Sequence, residues 1–198
     1  MKQNWKFSEL KYERPDSEQV VKDLRETAEK IRAAQSGEEV LSLIMEHEQR
    51  DLQLSTLLSM VNIRHTLDTR DAFYEKENEW IGQTMPTILP DSLALADAIA
   101  ESHFRNEIEE KLGKQFFAEI DLQKKCFCPE NIPLMQAEAK LTDEYQKIMV
   151  LHVLYRIKSP LLEKHLREAD RSDYHYLREN AAQIREMLTE DNADIPSQ

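Results

Sequence analysis

An all-α chain is what this sequence predicts, and three observations carry the prediction. Glycine is scarce: Gly37, Gly82 and Gly113 are the only three in 198 residues. Hairpins and phosphate-cradling loops draw on positive φ, which glycine adopts at least cost, and no P-loop or GxGxxG occurs. Apolar residues recur at three- and four-residue spacing along most of the chain, the period of an α-helix. Charged residues make up 32 % of the chain, as long helices with solvated faces require. The expected architecture is a single helical domain over residues 1–190 with a flexible tail at 191–198, of about eight to ten helices. At most one short β-hairpin is expected, near 150–157.

Trp5, Phe7 and Tyr12 make an aromatic lead-in that should pack as an extended arm. Pro15 then opens a helix with Asp16, Glu18 and Asp23 near its positive end. Val20, Val21, Leu24, Ala28 and Ile31 form its stripe, and Ser36-Gly37 ends it. A long helix follows from about Glu38 to Thr66. Its stripe begins with Val40, Leu41 and Ile44 and resumes with Leu54, Leu57, Leu58 and Val61. Between them lies a polar gap, Glu46-His47-Glu48-Gln49-Arg50-Asp51. Asp68 or Thr69 is the expected cap of a third helix carrying Phe73 and Trp80. Pro86 and Pro90 read as a connector, after which Asp91-Ser92 should cap a helix bearing Leu95, Ala96 and Ile99.

Phe104, Ile108 and Leu112 form the next stripe, with Gly113 as a cap or kink before Phe116, Phe117 and Ile120. Pro129 sits in the first turn of another helix, whose apolar stripe is Leu134, Leu141, Tyr145 and Ile148. The run from Val150 to Ile157 admits a strand by its β-branched content and a helix by its spacing, and Pro160 closes it. Leu161, Leu162 and Leu166 mark a short helix. Tyr174, Leu177, Ala181, Ile184 and Leu188 mark the last one.

The charge balance narrows function. The formal net charge is −12, from 38 acids against 26 bases. Sequence-independent nucleic-acid binding and anionic membrane surfaces both call for a basic face, so neither partner is expected. No apolar run approaches the roughly 20 residues that span a bilayer, and the N-terminus shows no apolar signal segment. Cys126 and Cys128 are one residue apart, a spacing that rarely suits a disulfide, so free thiols in the cytoplasm are expected.

Several constellations could carry chemistry. Zinc peptidases use His-Glu-x-x-His on a helix: two histidines one turn apart hold the metal, and the glutamate activates its water. The one His-Glu pair here is His47-Glu48, and Asp51 stands where the second histidine belongs. A carboxylate can ligate zinc, but no third ligand is evident nearby, and a solvated helix face explains the charges better. Cys126-Phe127-Cys128 lacks further soft ligands and reads as two ordinary thiols. Arg64, His65 and Asp68 place a cation, an imidazole and a carboxylate near one helix end. That set could act as an acid/base device, although a salt-bridged helix junction is the simpler reading. No catalytic, cofactor-binding or metal-ligating residue is therefore assigned.

The stretch from Ser59 to Tyr74 contains Ile63-Arg64-His65-Thr66-Leu67-Asp68-Thr69, then Asp71-Ala72-Phe73-Tyr74, and is followed by Glu77-Asn78-Glu79-Trp80. Together with Phe7 to Asp16, Phe104-Arg105, Leu112 to Phe117 and Asp143 to Ile148, it resembles the N-terminal helical domain of oligoendopeptidase F-type zinc metallopeptidases. The resemblance is co-linear over about residues 6–149 and weakens toward 190. It implies a mostly helical parent enclosing a deep channel, with this domain as one wall. The catalytic half of that family carries His-Glu-x-x-His and a further glutamate ligand and hydrolyses oligopeptides. No position here matches those residues, so the chain alone is not expected to bind zinc or cleave peptides. The resemblance implies a truncated or standalone N-terminal domain, and a fragment, a degenerate gene product or half of a split enzyme would all fit. The alternative is a helical adaptor that binds a protein or peptide in a groove between helices. Implied partners are a catalytic domain or oligopeptides. A homodimer through Val150, Val153, Leu154, Tyr155 and Ile157 is expected to replace a lost cover.

Overall fold

Helix starts are written locally by short acceptors. In the computed structural model, which describes residues 6–193, α1 (Ser17–Ala33) begins where the Asp16 carboxylate accepts from the backbone N–H groups of Glu18 and Gln19. α2 (Gly37–Leu67) begins where Ser36 accepts from Glu39 N–H, while the Glu39 carboxylate reaches back to Gln35 N–H. Each cap satisfies donors that the first turn leaves unpaired. The arm before α1 contains a short 3-10 turn, Phe7–Glu9; Trp5 lies outside the described residues. α3 (Ala72–Ala100) is capped by Asp71, not by Asp68 or Thr69. Asp68 instead folds back on Arg70, whose backbone N–H and guanidinium both reach its carboxylate.

The expected break at Pro86 and Pro90 does not occur, and Asp91-Ser92 caps nothing. α3 runs through both prolines. Pro86 and Pro90 lie four residues apart, so the two missing donors fall on one face of the helix. An interior proline costs about 3 kcal/mol in an isolated helix. α3 offsets that with packing, since α1, α2, α5 and α6 all lie against it. Asp91 meets Arg25 of α1 at 2.7 Å.

α4 (Arg105–Leu112) and α5 (Lys114–Cys126) are separated by Gly113 at φ +84°, in the left-handed region that favours glycine. A second 3-10 turn, Pro129–Asn131, leads into α6 (Ile132–Arg156), followed by α7 (Leu162–Asp170) and α8 (His175–Ala193). Most of the expected tail at 191–198 lies outside the described residues.

Among the described residues no strand occurs, and the run from Val150, open to strand or helix by sequence, continues α6 to Arg156. Val150, Val153 and Ile157 fall at helical spacing, and that spacing overrides their β-branching. α6 ends in a Schellman arrangement: Ser159 N–H donates to Leu154 C=O and Lys158 N–H to Tyr155 C=O, with Lys158 at φ 51°. Pro160 follows, where a helix could not continue.

Among the described residues, the buried apolar side chains form two clusters. The larger takes Leu24, Ile31, Val40, Ile44, Leu95, Ile99, Ile108 and Phe117 from α1–α5. The smaller takes Leu151, Leu162, Leu166, Leu177, Ala181 and Ile184 from α6–α8. α6 joins them by packing on α3. The crossing is close at Gly82, where a Cβ would sit 2.9 Å from that of Ala139.

α6 overturns the expected stripe. Leu134, Leu141 and Tyr145 are 67 %, 55 % and 61 % exposed, while Asp143, Glu144 and Lys147 are buried beside Leu151. The helix turns its charges inward and its apolar ridge outward, because the space it faces beside α2, α3 and α8 is polar.

Candidate functional site

That polar space lies between the two cores. Its centre is Asp143 of α6. Asp143 Oδ2 accepts from Tyr174 Oη at 2.7 Å and lies 2.9 Å from Lys147 Nζ. Its Oδ1 lies 3.3 Å from His65 Nε2 and accepts from Asn78 at 3.4 Å. Lys147 also donates to Glu75 of α3 at 2.6 Å and sits 4.6 Å from the centre of the Tyr174 ring. Four segments are thereby tied together: α2 by His65, α3 by Glu75 and Asn78, α6 by Asp143 and Lys147, and the lead-in to α8 by Tyr174. On the next residue, the buried Glu144 carboxylate accepts from Leu177 N–H at 3.0 Å and caps the first turn of α8 from a neighbouring helix.

The electrostatics follow from burial. His65 is 1 % exposed. Desolvation holds its pKa below the usual value although Asp143 pulls the other way. Its Nε2 is close to Asp143 yet out of line for a hydrogen bond, as suits a neutral ring held by packing. Desolvation, then the hydrogen bond to Asp143, pushes the Tyr174 phenol far above its ordinary range. At neutral pH His65 and Tyr174 are therefore neutral groups.

A second joint anchors the arm. Buried Glu77 of α3 accepts from Tyr12 at 2.7 Å and from Arg14 at 2.8 and 2.5 Å. Arg14 also stacks 5.1 Å over Trp80. Arg64 donates to the Tyr74 hydroxyl and to the Leu10 carbonyl, and its guanidinium lies 5.3 Å from the Phe7 ring centre.

The Arg64-His65-Asp68 set does not converge. Arg64 reaches the arm, His65 turns inward to Asp143, and Asp68 pairs with Arg70 at the α2–α3 turn. Cys126 and Cys128 are free and exposed. The Cys128 thiol donates to Glu130, which pushes its pKa up. His47 and Asp51 stand on the wall of a groove, and burial lowers the His47 pKa. Lys147 and Tyr174 were not singled out as site residues by sequence. Asp143 and Lys147 are four apart, in line with buried Leu151, and that spacing is the signal that could have found them.

Two openings flank the centre. A cleft of about 380 Å³ between α3 and α6 includes Asn78, Asp143, Gln146 and Tyr174 in its walls. A smaller one of about 170 Å³ reaches Glu75 and Lys147 from the other side.

The family described as Peptidase M3 N-terminal domain matches residues 7–127. The chain belongs to that family. The match spans the arm and α1–α5 and stops at the end of α5, where the first core ends. No curated protein matches the chain. Among solved structures, PZ peptidase A with inhibitor 2 is similar at 27 % identity and TM-score 0.72, over 96 % of this chain and 34 % of that one. A protein assigned as an oligoendopeptidase F is similar at 29 % identity and TM-score 0.73, over 94 % of this chain and 33 % of that one. An oligoendopeptidase F assignment from Bacillus anthracis str. Ames shares the fold at 22 % identity and TM-score 0.70, over 93 % and 38 %. The chain thus spans about a third of the length of the solved structures it matches.

The M3 peptidases are in general zinc-dependent. Among the described residues no group of three or more His, Cys, Asp or Glu is placed to hold a metal ion. Among the described residues no helix is long and apolar enough to cross a membrane.

Proposed function

We propose that the domain is the non-catalytic wall of an oligopeptide channel, completed by a zinc-bearing portion that docks along α6. One observation carries this: α6 and its C-cap residue Ile157 present Leu134, Leu141, Tyr145, Met149, Val153 and Ile157 to solvent. At 1.5 Å per residue the ridge is about 35 Å long. Monomers rarely leave so extended an apolar surface uncovered. The M3 family membership and the one-third coverage of the similar solved structures support a cover supplied by further polypeptide. The polar centre beneath holds α6 against α2 and α3 and so fixes the angle of the ridge. The exposed thiols of Cys126 and Cys128 suit a reducing compartment, and the cytoplasm is the proposed location.

The test mixes the chain with the separately produced remaining two thirds of an oligoendopeptidase F relative, loaded with zinc, and follows cleavage of a fluorogenic oligopeptide. Cleavage should appear in the mixture and be lost with the Tyr145→Glu, Val153→Glu double variant, whose circular dichroism should match wild type. Equal cleavage by variant and wild type would remove the ridge from the interface. The same substitutions dissociating a dimer in sedimentation velocity would assign the ridge to a second copy instead.

A further inference from the structure

The polar gap that interrupts the α2 stripe at Glu46 to Asp51 has a structural counterpart. Here α2 does not face the core. It forms one wall of an open groove of about 660 Å³, shared with α3 and α5. The floor is apolar: Ile44, Leu95, Ile99 and Ile120 are core residues, and Ala96 and Phe116 lie half-buried above them. Met45 on the α2 wall is 62 % exposed, and Leu52 stands one heptad further along the same helix at 68 %. Every formal charge among the described lining residues is negative: Glu48, Asp51 and Glu119. His47 adds no compensating charge at neutral pH, because burial lowers its pKa.

From these observations we infer that the α2–α3–α5 groove is a docking site for a cationic amphipathic helix of a partner protein. Two physical features select that occupant. The walls are α-helices whose backbone groups bond internally, so the groove offers no strand edge to an extended peptide. The occupant must pair its own backbone, and a helix does so. An apolar floor between acidic rims then suits a helix with one apolar stripe flanked by lysine or arginine. An acidic or neutral helix would bring no opposite charge to the three rim carboxylates, of which Glu119 accepts from the neutral Gln115 amide. A second copy of this chain is disfavoured, since each carries a formal net charge of −12. The site lies on different helices from the α6 ridge and does not rest on the channel assignment.

The experiment uses a fluorescein-labelled helical 14-mer with leucine at i, i+3, i+4, i+7 and i+11 and lysine on its other face, titrated with the chain by anisotropy. The comparison peptide carries glutamate in place of lysine. Saturable binding of the lysine peptide is expected, at least about tenfold tighter than the glutamate peptide and weaker as salt rises. The Glu48→Lys, Asp51→Lys, Glu119→Lys variant should lose that preference. A matched reversal at Glu163, Glu179 and Glu186 on α7 and α8 should keep it, which separates the groove from the overall charge. Ala96→Trp should block the floor and abolish binding with the circular dichroism unchanged. Equal binding of the two peptides, equal loss in both charge reversals, or full affinity in Ala96→Trp would each overturn the assignment. So would a dimer of the chain that Ala96→Trp dissociates, since it would place a second copy in the groove.

Discussion

Removing the Asp143 carboxylate should expose how much the joint between the two cores depends on one buried ion pair. The Asp143 and Lys147 side chains are 8 % and 9 % exposed and 2.9 Å apart. Breaking a buried pair from one side costs about 3–5 kcal/mol, mostly because the other charge is left uncompensated. Lys147 keeps Glu75, whose side chain is 42 % exposed and so only partly offsets the loss. Asp143→Ala should therefore cost about 2–3 kcal/mol. For a chain of this size that lowers Tm by about 4–12 °C. Asp143→Asn keeps an acceptor for Tyr174 and should cost less. The discriminating variant is the apolar pair Asp143→Leu, Lys147→Met, which removes both desolvated charges together. It should recover at least half of the loss seen in Asp143→Ala. Urea unfolding at pH 7, followed by circular dichroism and tryptophan fluorescence, reads all three, with Asp143→Leu and Lys147→Met alone as the single-variant references. A cost below about 1 kcal/mol for Asp143→Ala would refute the reasoning. So would a double variant as unstable as the sum of the two single substitutions, because the charges would then act independently.

Four further outcomes are expected. His65 has a folded pKa held below its ordinary 6.5 by burial; its contribution is fully present above that value and is lost as pH falls through the folded pKa. Stability should decline from pH 7.5 to 5.5 more steeply in wild type than in His65→Gln, and parallel profiles would contradict this. Glu77, whose pKa is lowered first by its hydrogen bond from Arg14, stabilises the arm above the ordinary carboxylate range and ceases to as pH falls through its depressed value. Glu77→Gln should cost about 1–2 kcal/mol and speed trypsin cleavage after Lys11, in the arm that Glu77 anchors through Tyr12 and Arg14; an unchanged cleavage rate would count against the anchor. Zinc added to the chain and then dialysed should not remain at one per chain, and no oligopeptide should be cleaved; a zinc lost on His47→Ala would reverse that. Both cysteines should react with a thiol reagent before any reductant is added, and reactivity that appears only after reduction would contradict free thiols.

The helices most legible in the sequence are those in which apolar spacing and caps agree. α1 carries Asp16 before Val20, Leu24, Ala28 and Ile31, of which the last three are buried. α8 carries Leu177, Ala181 and Ile184, all buried. α3 was hidden because Pro86 and Pro90 are local breakers, and what overrides them is packing by four neighbours, which no local pattern records. The family stretch from Arg64 to Trp80 pointed to the right region for a different physical reason. Arg64, Tyr74, Glu77, Asn78 and Trp80 each contact the arm, another helix or both. The motif describes joints between elements, so its residues are intelligible only when paired with Tyr12, Arg14 and Asp143 far away in sequence.

α6 shows where reading by hydrophobicity reaches its limit. A stripe rule assigns Leu134, Leu141 and Tyr145 inward and Asp143, Glu144 and Lys147 outward, because burying a charge is costly. The cost falls once each charge meets a fixed partner: Asp143 has Lys147 and Tyr174, Lys147 has Glu75, and Glu144 has the Leu177 amide. The partners outside α6 come from three other segments, so the charges can go inward only when α3, the lead-in to α8 and α8 itself are already in place. Burying paired charges adds little net stability, but it penalises every misaligned arrangement by leaving an ion alone. The apolar residues displaced from the interior are then free to form the outward ridge. Interior contact in α6 thus goes to directionality: the partnered charges fix which way the helix faces, and the outward ridge follows from that choice.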